Sequence, residues 1–199
     1  MVKTTELKEY KLDYNTFMGG LYISPNICEG LIDHYENNMD KSLLGHVGND
    51  DKRVVNRKLK DSRDIEIHAE NQHGIIGIYR EELQKVLIKY LEKYPMANSV
   101  LRFSITENFN LQKYPKGGGF KAWHCENNGA QKVIDRNLVF MTYLNSVEKG
   151  GTDFYHQKIT TPAEVGLTLI WPSYWTHVHR GQVCKTEEKY IITGWYDFV

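Results

Sequence analysis

The chain has 199 residues and a mass of 23.2 kDa, with 25 basic and 25 acidic side chains and no formal net charge. That length suits one domain, here 1–199, that buries a real core without disulfide or metal staples, and 41% apolar with 12% aromatic residues argues against disorder. Balanced charge argues against a general nucleic-acid binder, and no apolar run approaches the roughly 20 residues that cross a bilayer.

The N-terminal MVKTTELKEYKLD lacks the apolar stretch of a secretory signal, so a soluble, cytoplasmic protein is expected. Ser24-Pro25 predicts a helix start, an N-cap followed by proline at the first helical position. Ile27, Cys28, Leu31, Ile32 and Tyr35 then share one face. A second helix is predicted from about Tyr79 to Leu91, with Tyr79, Leu83, Val86, Leu87, Tyr90 and Leu91 as its apolar stripe. Between them, His46 to Gly77 is polar and carries five cations between Lys52 and Lys60. It reads as a solvated, partly mobile surface loop, or as a lid or substrate-guiding loop over a site formed by the other half. Residues 1–100 thus serve as helical support and lid, and 101–199 as the core.

From Leu101 the pattern changes to short strands: LRFSI, NLQKY, FKAWH, LVFMTYL, TDFYH, LTLIW, THVH and KYIITGWY. Glycine-rich turns at 116–119, 127–129 and 149–151, with Pro162, Gly166 and Gly181, punctuate them. The expected fold is mostly β with flanking helices, a double-stranded β-helix (jelly roll, cupin-like) with the N-terminal helices packed on one sheet.

Three widely spaced cysteines (Cys28, Cys125, Cys184) make neither a disulfide framework nor a C-x-x-C zinc site. In WHCEN, His124 and Glu126 stand two apart and leave the same face of an extended strand. About fifty residues on, WTHVHRG supplies His177 and His179. Jelly-roll strands return to one mouth, so a distant histidine can complete a triad. Two histidines and one carboxylate leave one side of a metal open, which suits non-haem Fe(II), although manganese and zinc accept the same donors. Lys189 lies in a strand that otherwise reads as buried; it either snorkels to water or meets an anion such as a dicarboxylate. Trp123, Trp171, Tyr174 and Trp175 flank these positions as core and rim packing or as a pocket wall. Arg180 pairs with a substrate anion or with Glu187 or Glu188, and Cys125 faces away from the ligands into the core.

The ordered motifs YPKGGGFKAWHCE, LVFMTYLNSVEKGGTDF, GLTLIWPSYWTHVHRG and EEKYIITGWYDF resemble the core of the Fe(II)- and 2-oxoglutarate-dependent dioxygenases, in the prolyl 4-hydroxylase-like branch. The resemblance covers roughly residues 101–198. It implies His124, Glu126 and His179 as metal ligands, with His177 an alternative distal histidine. It implies Lys189 and Tyr143 on the distal carboxylate of 2-oxoglutarate, Tyr114 near cosubstrate or substrate, and Thr193 and Trp195 lining the pocket. Glu126 departs from the aspartate usual in this branch. A carboxylate at this position implies hydroxylation, since the halogenating members lack it. Fe(II), 2-oxoglutarate and O2 are the implied cofactor and cosubstrates, with ascorbate as an accessory reductant. Peptide or protein side chains are the first-choice substrate, with release of succinate and CO2; a free amino acid or small metabolite is the alternative. A cupin-like metalloprotein without 2-oxoglutarate, or a non-catalytic binding module, are competing readings. No nucleic-acid or membrane partner is expected.

Overall fold

The computed structural model describes residues 7–48 and 54–199; residues 1–6 and 49–53, the latter part of the charged stretch, lie outside the described residues. In chain order the strands are β1 (Lys8–Glu9), β2 (Gly19–Tyr22), β3 (Leu43–Leu44), β4 (His46–Val47), β5 (Val54–Val55), β6 (Arg63–Ile67) and β7 (Phe103–Ser104). There follow β8 (Phe109–Tyr114), β9 (Arg136–Tyr143), β10 (Val147–Phe154), β11 (Ile159–Ala163), β12 (Leu167–Pro172), β13 (His179–Gly181) and β14 (Lys189–Phe198). Helix α1 is Pro25–Glu36 and α2 is Gly74–Lys93.

A nine-stranded sheet runs β1-β2-β12-β9-β14-β8-β6-β3, with β7 also on β14. A three-stranded sheet, β11-β10-β13, forms the opposing wall, and β4 and β5 make a separate hairpin. Every pairing is antiparallel. This is the expected double-stranded β-helix.

The large sheet is buried on both faces, and strand alternation sorts its residues between two cores. Leu138, Phe140, Ile170, Tyr190, Ile192 and Tyr196 pack outward against Leu31, Tyr35, Tyr79, Leu83, Val86 and Tyr90 of the helices. Val139, Met141, Tyr143, Leu169, Trp171 and Ile191 face inward, with Phe154 and Val147 from the small sheet. The cavity-facing set of β14 is therefore Lys189, Ile191, Thr193 and Trp195. Their register partners are Tyr114 opposite Lys189, Tyr143 opposite Ile191, Met141 opposite Thr193 and Val139 opposite Trp195.

Four expectations need correction. The first hundred residues are not only helical support, because β1, β2, β3 and β6 join the large sheet. The stretch 46–77 is not one loop: it holds the β4–β5 hairpin, strand β6 and the first turn of α2. Helix α2 begins five residues before Tyr79, despite Gly74 and Gly77 in its first turn. FKAWH forms no regular strand; it is tied in by two isolated bridges, Lys60 to Phe120 and His124 to His179. At α1, Ser24 occupies the N-cap position but its side chain makes no capping hydrogen bond.

Candidate active site

The isolated bridge brings the two remote motifs together. His124 N donates to His179 O at 3.0 Å, and His179 N donates to His124 O at 2.9 Å. This hydrogen-bonded pair fixes the two histidines opposite one another. Two residues on, Glu126 N and Asn127 N both donate to Ser173 O, at 3.0 and 2.9 Å, which turns the Glu126 side chain back toward the pair. The result is a cluster of His124, Glu126 and His179 whose donor atoms all lie within 4.8 Å of one another. Glu126 Oε1 is 3.3 Å from His124 Nε2 and 3.6 Å from His179 Nε2.

The tautomers follow from the backbone. His124 Nδ1 lies 2.9 Å from Ala122 O, and His179 Nδ1 lies 2.9 Å from His177 O. A carbonyl only accepts, so each Nδ1 carries the proton and each Nε2 keeps a lone pair for a metal. The His124 ring stacks on Phe120 at 3.8 Å and 14°. His179 is packed between Phe154 and Trp171, with ring centroids 5.6 and 5.1 Å away. Burial, with His124 alongside, pushes the His179 imidazole down against the opposing pull of Glu126. Burial would raise the Glu126 carboxyl, but hydrogen bonds and charge from both histidines outweigh it and hold it well below the usual range. The site thus favours neutral imidazoles beside an ionised carboxylate, the states that ligate. Two nitrogens and one oxygen on one side, with a cavity on the other, fit Fe(II).

His177 does not join the cluster. It sits in a 3-10 turn, Trp175–His177, with Nε2 donating to Thr16 O at 2.9 Å. The sequence spacing left His177 and His179 both open as the distal histidine; the turn separates them.

The cavity has a volume of about 890 Å³, and the three candidate ligands lie on its wall together with Tyr114, Tyr143, Thr152, Lys189 and Thr193. Lys189 is 3% exposed, and its ammonium donates to Gly150 O at 2.6 Å and Gln182 O at 3.4 Å, with the Cys184 thiol alongside. Burial pushes it below the usual lysine value, with Cys184 beside it pulling the other way. Its Nζ also lies 5.2 Å from the centre of the Tyr114 ring. Tyr143 is fully buried; its hydroxyl is 2.7 Å from Thr152 Oγ1 and 3.3 Å from Thr161 Oγ1. Burial pushes Tyr143 up to about 12, the two threonines notwithstanding, so it stays a neutral donor. Tyr114 donates to Gln112 Oε1 at 2.8 Å, and Thr193 donates to Phe140 O at 2.9 Å. Each sequence-predicted site residue therefore reaches the same cavity, although the hydroxyl protons of Tyr114 and Thr193 are committed to protein acceptors.

Other expectations fall differently. Arg180 pairs with Asp153 at 3.0 Å and covers the Trp123 ring, not Glu187 or Glu188. Cys125 is half-buried on the cavity wall, not in the core. Trp171 is buried on the cavity wall, whereas Trp123, Tyr174 and Trp175 are exposed. Several residues that the sequence did not single out stand on the wall. Asp64 accepts from Lys60 at 2.6 Å, and Gln112 donates to the same oxygen at 3.4 Å. Glu107 and Arg136 lie beside Glu126, and Trp195 Nε1 donates to Glu126 Oε2 at 3.0 Å. The inward face of β6, Asp64 and Glu66 alternating with Ile65 and Ile67, was readable as a period-two pattern.

Comparison with known proteins agrees with this geometry. Residues 109–197 match the family model of the 2OG-Fe(II) oxygenase superfamily. Among solved structures the chain is similar to a prolyl hydroxylase from Trichoplax adhaerens in complex with a hypoxia inducible factor peptide fragment (TM-score 0.72, 14% identity, covering 92% of this chain and 84% of that one). It is similar to a Pseudomonas putida prolyl-4-hydroxylase (TM-score 0.66, 12% identity, 92% of each chain). A viral collagen prolyl hydroxylase from Paramecium Bursaria Chlorella virus-1 also matches (TM-score 0.66, 18% identity, 92% of this chain and 97% of that one). No curated protein sequence matches significantly. The matched segment holds all three clustered donors and Lys189, so over residues 109–197 the chain is similar to the 2OG-Fe(II) oxygenase superfamily and shares the fold of the prolyl hydroxylases.

Proposed function

We propose that the protein hydroxylates a side chain of a peptide or protein, in the manner of the prolyl hydroxylases, with His124, Glu126 and His179 holding Fe(II) and Lys189 and Tyr143 holding the distal carboxylate of 2-oxoglutarate. One observation carries the reading. Three metal donors from two remote motifs converge on a cavity in which a buried ammonium faces no carboxylate among the described residues. A buried lysine without an anion is costly, and a bound dicarboxylate supplies the missing charge. When bound, Fe(II), 2-oxoglutarate and O2 supply the oxidation itself, yielding succinate, CO2 and one inserted oxygen atom. The chain's own residues do the rest. Phe154 and Trp171 pack on the buried His179 ring and Phe120 stacks on the half-buried His124 ring, which holds both in place. The two Nδ1–H···O=C bonds hold the rings in one orientation. Tyr143, neutral and buried, offers its hydroxyl to a carboxylate.

A peptide substrate is favoured by likeness of fold to an enzyme solved with a peptide fragment bound. A second reading, a free amino acid or small polar metabolite, is favoured by the amides and carboxylates on the β6–β8 wall, Glu66, Asn108, Asn110 and Gln112. The test is a mass-spectrometric screen of peptides, amino acids and metabolites with Fe(II) and 2-oxoglutarate. A peptide gaining one oxygen in step with succinate supports the first reading; turnover of a free amino acid or metabolite alone supports the second. Anaerobic addition of 2-oxoglutarate to the Fe(II) protein is expected to produce a visible charge-transfer band. Its absence overturns both.

A further inference from the structure

Glu126 uses its two oxygens differently. Oε1 faces the two histidines, whereas Oε2 accepts from Trp195 Nε1 at 3.0 Å and lies 3.6 Å from Arg136 Nη1. Arg136 is itself fixed from three sides. Its Nε and Nη2 make a bidentate pair with Glu107 at 2.7 and 2.6 Å. Its guanidinium lies 3.5 Å from the centre of the Trp195 ring. Its Nη1 also donates to the Glu126 carbonyl at 3.3 Å. Behind it, buried Asp197 holds the turn that carries Glu107, accepting from the Thr106 amide and hydroxyl and from the Glu107 amide at 3.3, 2.7 and 3.2 Å. The arrangement is a relay from β14 and the β7–β8 turn to one carboxylate oxygen.

A glutamate reaches farther than the aspartate usual in this branch and has one more rotatable bond, so it can swing or close on a metal with both oxygens. We infer that Arg136 and Trp195 are positioning residues that tether Oε2, so that Glu126 presents Oε1 alone toward the metal. The inference rests on the metal-site reading above. A one-oxygen carboxylate keeps a coordination position free for ligands from the cavity. A planar, bidentate arginine stacked on an indole suits this task better than a lysine, whose point charge fixes no direction.

The test is Co(II) titration of the metal-free full-length protein, followed by visible absorption. Trp195→Phe, which keeps a ring and removes the N–H, and Arg136→Ala are each expected to bind Co(II) roughly 10–100-fold more weakly. The Co(II) band of each is expected to lose intensity as the second oxygen raises the coordination number, and Arg136→Lys is expected to restore little. Glu126→Asp, too short for the tether, is expected to weaken binding in the parent background and to add little to Trp195→Phe. Should Arg136→Ala not fold, Trp195→Phe decides alone. A folded Trp195→Phe with the parent's affinity and spectrum overturns the tether while leaving the metal site standing. A folded parent that takes up no Co(II) overturns the metal site and the tether together.

Discussion

At one end of the cavity, His124, Glu126 and His179 meet one another's charge and hydrogen-bonding needs, while Lys189 carries a buried ammonium that meets the Gly150 and Gln182 carbonyls and the Cys184 thiol and, among the described residues, no carboxylate. The first cluster is braced before any metal arrives: both imidazole tautomers are set by backbone carbonyls, and Glu126 is held by Trp195. The second has its positive charge in place and, among the described residues, no anion opposite. His179 and Lys189 are buried and His124 and Glu126 half-buried, so the difference is chiefly one of completeness. On the proposed reading a metal would enter a site already ordered for it, whereas 2-oxoglutarate would complete a site that is electrostatically unfinished without it. The first end spends stability on preorganisation and the second on an unmet charge, and variants at each should fail differently.

The sharpest way to break the comparison is at the metal end. His124→Ala and Glu126→Ala are each expected to reduce succinate formation to background, a larger loss than the roughly 10–100-fold that follows removal of an outer partner. Substantial turnover by either variant would remove that residue from the ligand set. Next in size, Lys189→Ala is expected to raise the 2-oxoglutarate concentration giving half-maximal rate by tens-fold or more, since truncating one side of a buried charge pair costs about 2–5 kcal/mol. An unchanged requirement would mean that the cosubstrate docks elsewhere. Lys189→Met sharpens the contrast from the other side. Replacing a buried charge that has no carboxylate partner by an apolar chain of similar length removes the cost of desolvating that charge. The cosubstrate-free variant should therefore melt at or above the parent's temperature, yet gain nothing when 2-oxoglutarate is added. The parent should gain about 2.7 kcal/mol at a hundredfold excess over its Kd. A strongly destabilised Lys189→Met would show that the two carbonyl contacts already satisfy the lysine.

The two ends were also unequally legible in the sequence. His124, Glu126 and His179 stand in short motifs whose order carries the family resemblance, and Lys189 stands at the head of an apolar run. What braces them has no such signature. Glu107 and Arg136 lie 29 residues apart in unremarkable surroundings and meet only because β14 pairs with both β7 and β9. The barrel was read from its turns, yet β1 to β6 and β11 were missed, three of them for separate reasons. β6 is charged on its inward face because that face lines a polar cavity. β2 begins with two glycines that look like a turn, although a Cβ on Gly19 would come within 2.8 Å of the Tyr90 ring. β11 contains Pro162, which is tolerated because β11 is an edge strand. Conversely FKAWH has strand composition but only isolated bridges, because its backbone is used to seat one histidine rather than to extend a sheet.

The smallest expected effect lies just outside the metal end, at His177. This side chain is 2% exposed and ties the 3-10 turn before His179 to Thr16, near the N-terminal end of the described chain. Burial lowers its imidazole pKa, against the raising influence of the Thr16 carbonyl, and positive charge on His179 or His156 adds to the lowering. Thr176 Oγ1 is 3.0 Å from the other ring nitrogen. The folded state thus binds this proton less readily than the unfolded chain, whose histidines titrate near about 6.5. Stability from this group is intact above that pH and is lost as the pH falls through it toward the folded value, with a slope of at most about 1.4 kcal/mol per pH unit. Melting temperatures measured between pH 7.5 and 5 should fall for the parent and fall less steeply for His177→Gln. A residual slope should persist, because burial also lowers the His34 and His179 pKa values. Identical slopes for parent and variant would mean that His177 takes up its proton as readily in the folded as in the unfolded chain, and that the pH dependence belongs to other groups such as His34 and His179.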